Sequence, residues 1–236
     1  MRVISGIYKR RRFDVPHTFK ARPTTDFAKE NLFNVLSNNY FDFEDGVTAL
    51  DLFAGTGSIS IELVSRGCDR VISVEKDPQH LSFISQMMRE VKTDKCFPIR
   101  ADVFRFIDKC SEQFDFIFAD PPYALKELES IPTRIFESGI LKEDGLLVLE
   151  HGKENHFEDD PHFIERRAYG HVFLCNRIAS FWSCRKIPFN SNAEDGSYIK
   201  AFTSKLCSKL RKSIFVEPTV ERVSSLTISL ECKKPF

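Results

Sequence analysis

Val47-Thr48-Ala49-Leu50-Asp51-Leu52-Phe53-Ala54-Gly55-Thr56-Gly57-Ser58 is the stretch that decides the fold. An apolar run with β-branched residues (47–53) meets two glycines, and an amphipathic segment with Ile59, Ile61, Leu63 and Val64 follows. That order reads strand, tight turn, helix. Gly55 and Gly57 can take dihedrals that a side chain would forbid, and their bareness lets a ligand lie against the backbone. Asp51 stands near the carboxyl end of the strand, where open α/β sheets bind ligands. Ser60 replaces the third glycine of G-x-G-x-x-G, which argues against a nicotinamide site, and no Gly-Lys-Ser/Thr follows to make a P-loop. Taken alone, the stretch also fits a plain strand-to-helix turn.

A second landmark is Asp120-Pro121-Pro122-Tyr123, which follows a short apolar run over residues 114–119. Neither proline can donate to a ladder, so a buried strand stops abruptly there. By itself the tetrapeptide is equally a proline turn with a solvated Asp. Its place two strand–helix units after the glycine turn argues for a site.

Working outward, strands are expected at 70–74, 95–100 and 145–150, with helices over 27–36, 78–90, 103–109 and 125–137. Residues 163–169 and 172–175 read as a closing antiparallel pair. Repeated strand–helix–strand units predict an α/β fold: a doubly wound, mostly parallel seven-stranded sheet of Rossmann-like type with right-handed crossovers. Thr25 or Asp26 can cap the first helix, whose buried stripe reads Ala28, Leu32, Val35 and Leu36. Glu75, at the end of its strand, can accept hydrogen bonds from both hydroxyls of a ribose. Asp102 follows its strand directly and can also serve simply as a helix cap.

Residues 1–22 read as a hairpin with a turn at Ser5-Gly6. They carry seven Lys/Arg against one acid, a net +6 that together with +6 over 175–236 offsets an acidic middle (23–174, net −12), so the neutral total conceals a division. Arg10, Arg11 and Arg12, interleaved with Tyr8 and Phe13, combine phosphate attraction with surfaces on which bases can stack; a solvated charged edge is the bland alternative. The seven cysteines show no C-x-x-C and read as reduced cytosolic thiols. The six histidines form no H-E-x-x-H, and no apolar run approaches a membrane span. A cytoplasmic monomer without metal is expected. Residues 176–236, basic and poorly periodic, read as an extension of low order.

The two motifs, with Arg22-Pro23-Thr24-Thr25-Asp26 before them and Val74-Glu75 between them, resemble S-adenosylmethionine-dependent methyltransferases. The opening Arg2-Val3-Ile4-Ser5-Gly6, the basic run Lys9-Arg10-Arg11-Arg12 and the Arg-Pro-Thr-Thr-Asp pentad are similar to the bacterial 16S rRNA guanine-N2 methyltransferases, over residues 1–173. That resemblance implies a methyltransferase domain over 23–175 that modifies ribosomal RNA, as free RNA or as a small-subunit particle. It implies donor contacts at Asp51, Phe53, Gly55, Gly57, Glu75, Lys76, Asp102 and Val103. It also places Arg22, Thr24 and Thr25, with Arg10, Arg11 and Arg12, against the substrate, and makes Asp120, Pro121, Pro122 and Tyr123 catalytic. The tetrad alone fits adenine N6 and cytosine N4 as well as guanine N2. An adenine-N6 enzyme, or a ribosome-assembly module that has lost activity, are the alternatives.

Overall fold

The computed structural model describes residues 1–19, 24–152, 154–166 and 172–176, all within one unit, Met1–Arg185. In chain order come α1 (Asp26–Asn39), β1 (Thr48–Leu52), α2 (Ser58–Ser65), β2 (Arg70–Glu75), α3 (Pro78–Glu90) and β3 (Cys96–Arg100). Then follow α4 (Val103–Ile107), β4 (Phe114–Ala119), a 3₁₀ turn (Leu128–Ser130), α5 (Ile131–Ser138), β5 (Leu141–Glu150), β6 (Phe163–Arg166) and β7 (Val172–Asn176).

Five strands in the order β3-β2-β1-β4-β5 run parallel, and β7 then β6 continue the sheet antiparallel beyond β5. The parallel, doubly wound part therefore has five strands, and the antiparallel pair brings the sheet to seven. A parallel neighbour needs a crossover of a dozen or more residues, whereas only residues 167–171 separate β6 from β7.

Alternate residues of the central strands face opposite cores, as the two-residue period requires. Ala49, Val71, Phe116 and Val148 join Leu36, Ile61, Val64, Ile84 and Met87 of α1, α2 and α3 on one face. Leu50, Ile72, Ile117 and Leu147 join Ile107 of α4 and Ile131 and Ile135 of α5 on the other. Because both faces are covered, β1, β2 and β4 read as apolar runs without alternation. All five parallel strands end on the same side.

The N-terminal segment pairs its two ends antiparallel, as the sequence predicts, but through a wide turn and not a tight one at Ser5-Gly6. A single antiparallel bridge joins Arg2 to Arg12, and the turn between them is wide. Its ends pair across the turn: Met1 and Phe13 bond in both directions (3.0 Å each), and Val3 donates to the Arg11 carbonyl (2.9 Å) and accepts from the Arg10 N–H (3.0 Å). The groups within the turn bond to α2. Ile4 and Ser5 donate their N–H groups to the Glu62 carboxylate (2.8 and 3.0 Å), Ile7 to the Ser65 carbonyl (2.7 Å) and Tyr8 to Ser65 Oγ (3.0 Å). Gly6 has φ +80°, and a Cβ there would stand 1.7 Å from the Ser65 carbonyl oxygen. Val3 and Phe13 are buried in the core on that face. The segment is part of the fold and not a free arm.

Three helix expectations change. The buried residues of α1 are Lys29, Leu32, Phe33 and Leu36; Ala28 and Val35 are only half-buried. Lys29 is tolerated inside because Nζ donates to the Arg2 carbonyl (2.6 Å) and Ser58 Oγ (3.2 Å), 3.9 Å from Glu62. Burial lowers its pKa, and the Glu62 charge opposes that shift. The helix predicted over 125–137 starts only at Ile131, since Pro132 suits a first turn and not an interior. α4 stops at Ile107, two residues short of its prediction. β6 is described over Phe163–Arg166, and the remainder of its expected span, 167–169, lies outside the described residues. Arg22 and, beyond Asn176, the extension expected over 176–236 lie outside the described residues.

Candidate active site

The carboxyl ends of the five parallel strands surround a cavity of about 1120 Å³. The turn after β1 forms its floor. Phe53 has φ +59° and Gly55 φ +54°; a left-handed Phe is strained and marks a position that the surroundings over-determine. Phe53 packs edge-to-face against Phe104, with ring centroids 6.5 Å apart. Gly57, at φ +71°, caps α2, and a Cβ there would come within 2.8 Å of Ile84 Cγ1.

Asp51 is buried at the end of β1 and accepts from the N–H (3.0 Å) and the hydroxyl of Ser60. Ser60 Oγ in turn lies 2.6 Å from Ser73 Oγ. The serine that replaces the third glycine of the nucleotide fingerprint thus fixes a carboxylate. Burial pushes Asp51 up to about 7, against the pull of the Ser60 hydrogen bonds.

Glu75, at the tip of β2, braces the glycine turn. One oxygen accepts from the Gly55 N–H (2.8 Å) and the other from the Asp77 N–H (2.7 Å). A carboxylate oxygen has two lone pairs, so both retain capacity for a ligand hydroxyl. Asp102 caps α4 through the Arg105 N–H (3.3 Å) and stands 3.6 Å from Lys76 Nζ. It serves as the cap that the sequence allowed and lines the cavity too, beside Val103 and Lys76.

Asp120 follows the last residue of β4 and is held by its N–H to the Leu52 carbonyl (3.4 Å). The Asp-Pro-Pro-Tyr turn and the glycine turn therefore sit side by side, because β1 and β4 are neighbours in register through Leu52 and Ala119. Burial pushes Asp120 up to about 8, with further contributions from the Glu150 and Asp51 charges. The Tyr123 hydroxyl donates to Glu150 (3.5 Å). Burial, then Glu150 and Asp120, push its phenol up to about 12.

Thr24 and Thr25 reach the cavity wall, and Thr25 Oγ1 also caps α1 through the Ala28 N–H (3.2 Å). Arg10, Arg11 and Arg12 do not line the cavity; they are exposed on the N-terminal turn, where Arg11 pairs with Glu90 at 3.4 Å. Sequence reasoning missed Glu150, Phe104 and His80, which line the cavity as well. Glu150 had a signal: it ends the strand expected over 145–150. Among the described residues, no group of three or more His, Cys, Asp or Glu could hold a metal ion, and no helix is long and apolar enough to cross a membrane.

The family described as conserved hypothetical protein 95 matches residues 1–177. "Putative rRNA methyltransferase YlbH" of Bacillus subtilis is 37% identical over 158 residues, 65% of this chain and 84% of that one. "Ribosomal RNA small subunit methyltransferase D" of Haemophilus influenzae is 31% identical over 161 residues, 65% of this chain and 80% of that one. A solved hypothetical protein of Thermus thermophilus is 28% identical with a TM-score of 0.64, covering 75% of this chain and 99% of its own. A cavity built from a glycine turn, a strand-end Glu and an Asp-Pro-Pro-Tyr turn thus accompanies likeness over most of these relatives' lengths, and the chain belongs to the conserved hypothetical protein 95 family of S-adenosylmethionine-dependent methyltransferases.

Proposed function

We propose that this chain transfers a methyl group from S-adenosylmethionine to the exocyclic N2 amine of a guanine in small-subunit (16S) ribosomal RNA. The observation that carries the reading is the shared cavity: Asp120, Pro121 and Tyr123 line it together with Phe53, Gly55, Glu75 and Asp102. The RNA substrate is suggested by relatives named for ribosomal RNA, one of them for the small subunit. Guanine N2 rests on the N-terminal residues described above.

The residues present fit the donor. Glu75 offers acceptor capacity to a ribose diol, Asp102 to an adenine amine, and Phe53 and Val103 offer apolar surface to the ring. The carboxylates and aromatic rings of the site suit a cation. Bound there, S-adenosylmethionine supplies an electrophilic methyl group whose bond to sulfur breaks with its electron pair. The chain's own residues prepare the amine. Its lone pair is conjugated with the base and weakly nucleophilic. Asp120 and the carbonyl of Pro121 accept its two hydrogens and turn the lone pair out of the ring plane, toward the methyl carbon. The nitrogen gives up one proton as the new N–C bond forms, and ionised Asp120 takes it. Tyr123 stacks on the base drawn out of its helix, a contact worth roughly 1–3 kcal/mol. Alignment in a dry pocket provides most of the acceleration. Thr24 and Thr25 border the target, Arg22 precedes them in the chain, and Arg10, Arg11 and Arg12 hold phosphates farther out. In this reading residues 23–175 form the catalytic domain.

Tritiated methyl transfer to small-subunit particles from a strain lacking the protein, followed by nucleoside analysis, tests this. N2-methylguanosine is expected. Methyladenine would refute the base assignment, and donor binding without turnover would identify an inactive assembly module.

A further inference from the structure

Glu150 lies at the end of β5 and has no part in the reading above. β4 and β5 are parallel and in register through Ala119 and Leu149, so residues 120 and 150 leave neighbouring strand ends at the same level, and strand spacing is about 4.8 Å. Both side chains line the cavity, and the Glu150 carboxylate accepts from the hydroxyl of Tyr123, the proposed stacking ring. Two carboxyl groups, acceptor-only when ionised, therefore border one edge of the place where a stacked base would lie.

We propose that Glu150 reads the N1–H of the target guanine beside Asp120 and so selects guanine over other bases that carry an exocyclic amine. The inference rests on the guanine-N2 reading and names what enforces it. The Watson–Crick edge of guanine presents two adjacent donors, the N1–H and the N2 amine. Adenine pairs its N6 amine with an N1 lone pair, and cytosine its N4 amine with an N3 lone pair. Two carboxylates complement donor–donor. Against adenine or cytosine the second carboxylate meets a lone pair, with desolvation and repulsion unrelieved. The same carboxylate holds Tyr123 by its hydroxyl, so edge recognition and stacking share a residue.

The test compares guanosine with 2-aminopurine riboside at the nucleotide mapped by the experiment above, in a synthetic small-subunit rRNA fragment. 2-Aminopurine keeps the N2-type amine but carries a lone pair at N1. Wild-type protein is expected to prefer guanosine by about 10²-fold or more in kcat/KM, the fold-change for a hydrogen bond to a charged group. In Glu150→Gln, whose carboxamide can donate to that lone pair, the preference should fall below about tenfold, with S-adenosylmethionine affinity unchanged. A preference equal in wild type and Glu150→Gln, at equal donor affinity, overturns the inference while the guanine reading stands. So does a wild-type protein that methylates both RNAs at similar rates, a result that needs no variant. Absence of N2-methylguanosine from the guanosine fragment instead overturns the guanine reading itself.

Discussion

Replacing Glu62 by glutamine asks whether one buried carboxylate fastens the N-terminal segment to α2. Its oxygens accept from Ile4 N (2.8 Å), Ser5 N (3.0 Å) and Arg66 Nε (2.9 Å), and Lys29 Nζ lies 3.9 Å away, with no exposure of either the Glu62 or the Lys29 side chain. A carboxamide keeps the shape, but its NH₂ faces donors. At least one N–H and one buried cation lose their partner. A stranded buried donor costs about 1–3 kcal/mol, and removing one member of a buried ion pair about 3–5 kcal/mol. The two losses overlap, and Lys29 relieves part of the second by losing its proton, so the expected destabilisation is about 4 kcal/mol. For a domain of this size that is roughly 8–16 °C in Tm. Urea and thermal unfolding followed by circular dichroism measure it. The double variant with Lys29→Met should recover at least about 1 kcal/mol relative to the sum of the singles. A loss under about 1 kcal/mol, or strict additivity, would refute the reasoning.

Asp120→Asn should lower kcat by about 10²–10⁴-fold while donor affinity stays near wild type; an equal loss of donor binding, seen by calorimetry, would show that the residue serves the donor. Because burial and then Glu150 raise Asp120 to about 8, kcat/KM should climb with pH to a midpoint near that value and level off above it. The same shift makes the native state hold a proton that the unfolded chain releases above its usual 3.8. The stabilisation from this group is therefore full at acid pH and lost as pH rises toward about 8. Glu75→Ala should weaken S-adenosylmethionine binding by about 10–10²-fold, and an unchanged dissociation constant would remove Glu75 from the site. Gly57→Ala forces a Cβ into a φ of +71° and within 2.8 Å of Ile84; a cost of about 1–3 kcal/mol is expected in thermal unfolding, and an unaltered Tm contradicts it. Neutralising Arg10, Arg11 and Arg12 together should weaken RNA binding and reduce its log–log salt slope by about 2.

The parallel sheet was legible because its signals are local. Residues 47–58 and 114–123 each carry strand, stop and turn within one short window, and α3 matches its expected bounds of 78–90. Lys29 and Glu62 were not legible. Each looks like a solvated helix charge until the N-terminal segment, nearly 60 residues from Glu62 in the chain, covers them. The wide turn was hidden for the same reason: the ends of residues 1–13 pair with each other as expected, but the groups at Ile4, Ser5, Ile7 and Tyr8 bond to α2. At the cavity, Asp120 and Glu75 announce themselves through the prolines and the strand end beside them. Glu150 ends an expected strand, but its place beside Asp120 comes only from the register of β4 and β5, which no spacing along the chain encodes.

The bonds from Ile4 and Ser5 to Glu62 span 58 and 57 residues, and this sets an order of events during synthesis. At roughly 5–20 residues per second, the opening segment emerges several seconds before the partner it is built to meet. Until then its basic side chains and Val3 and Phe13 have no native surface to rest on. Docking of this segment thus waits on α2, and a substitution at Gly6 or Glu62 should show itself first as slowed maturation and chaperone retention of nascent protein.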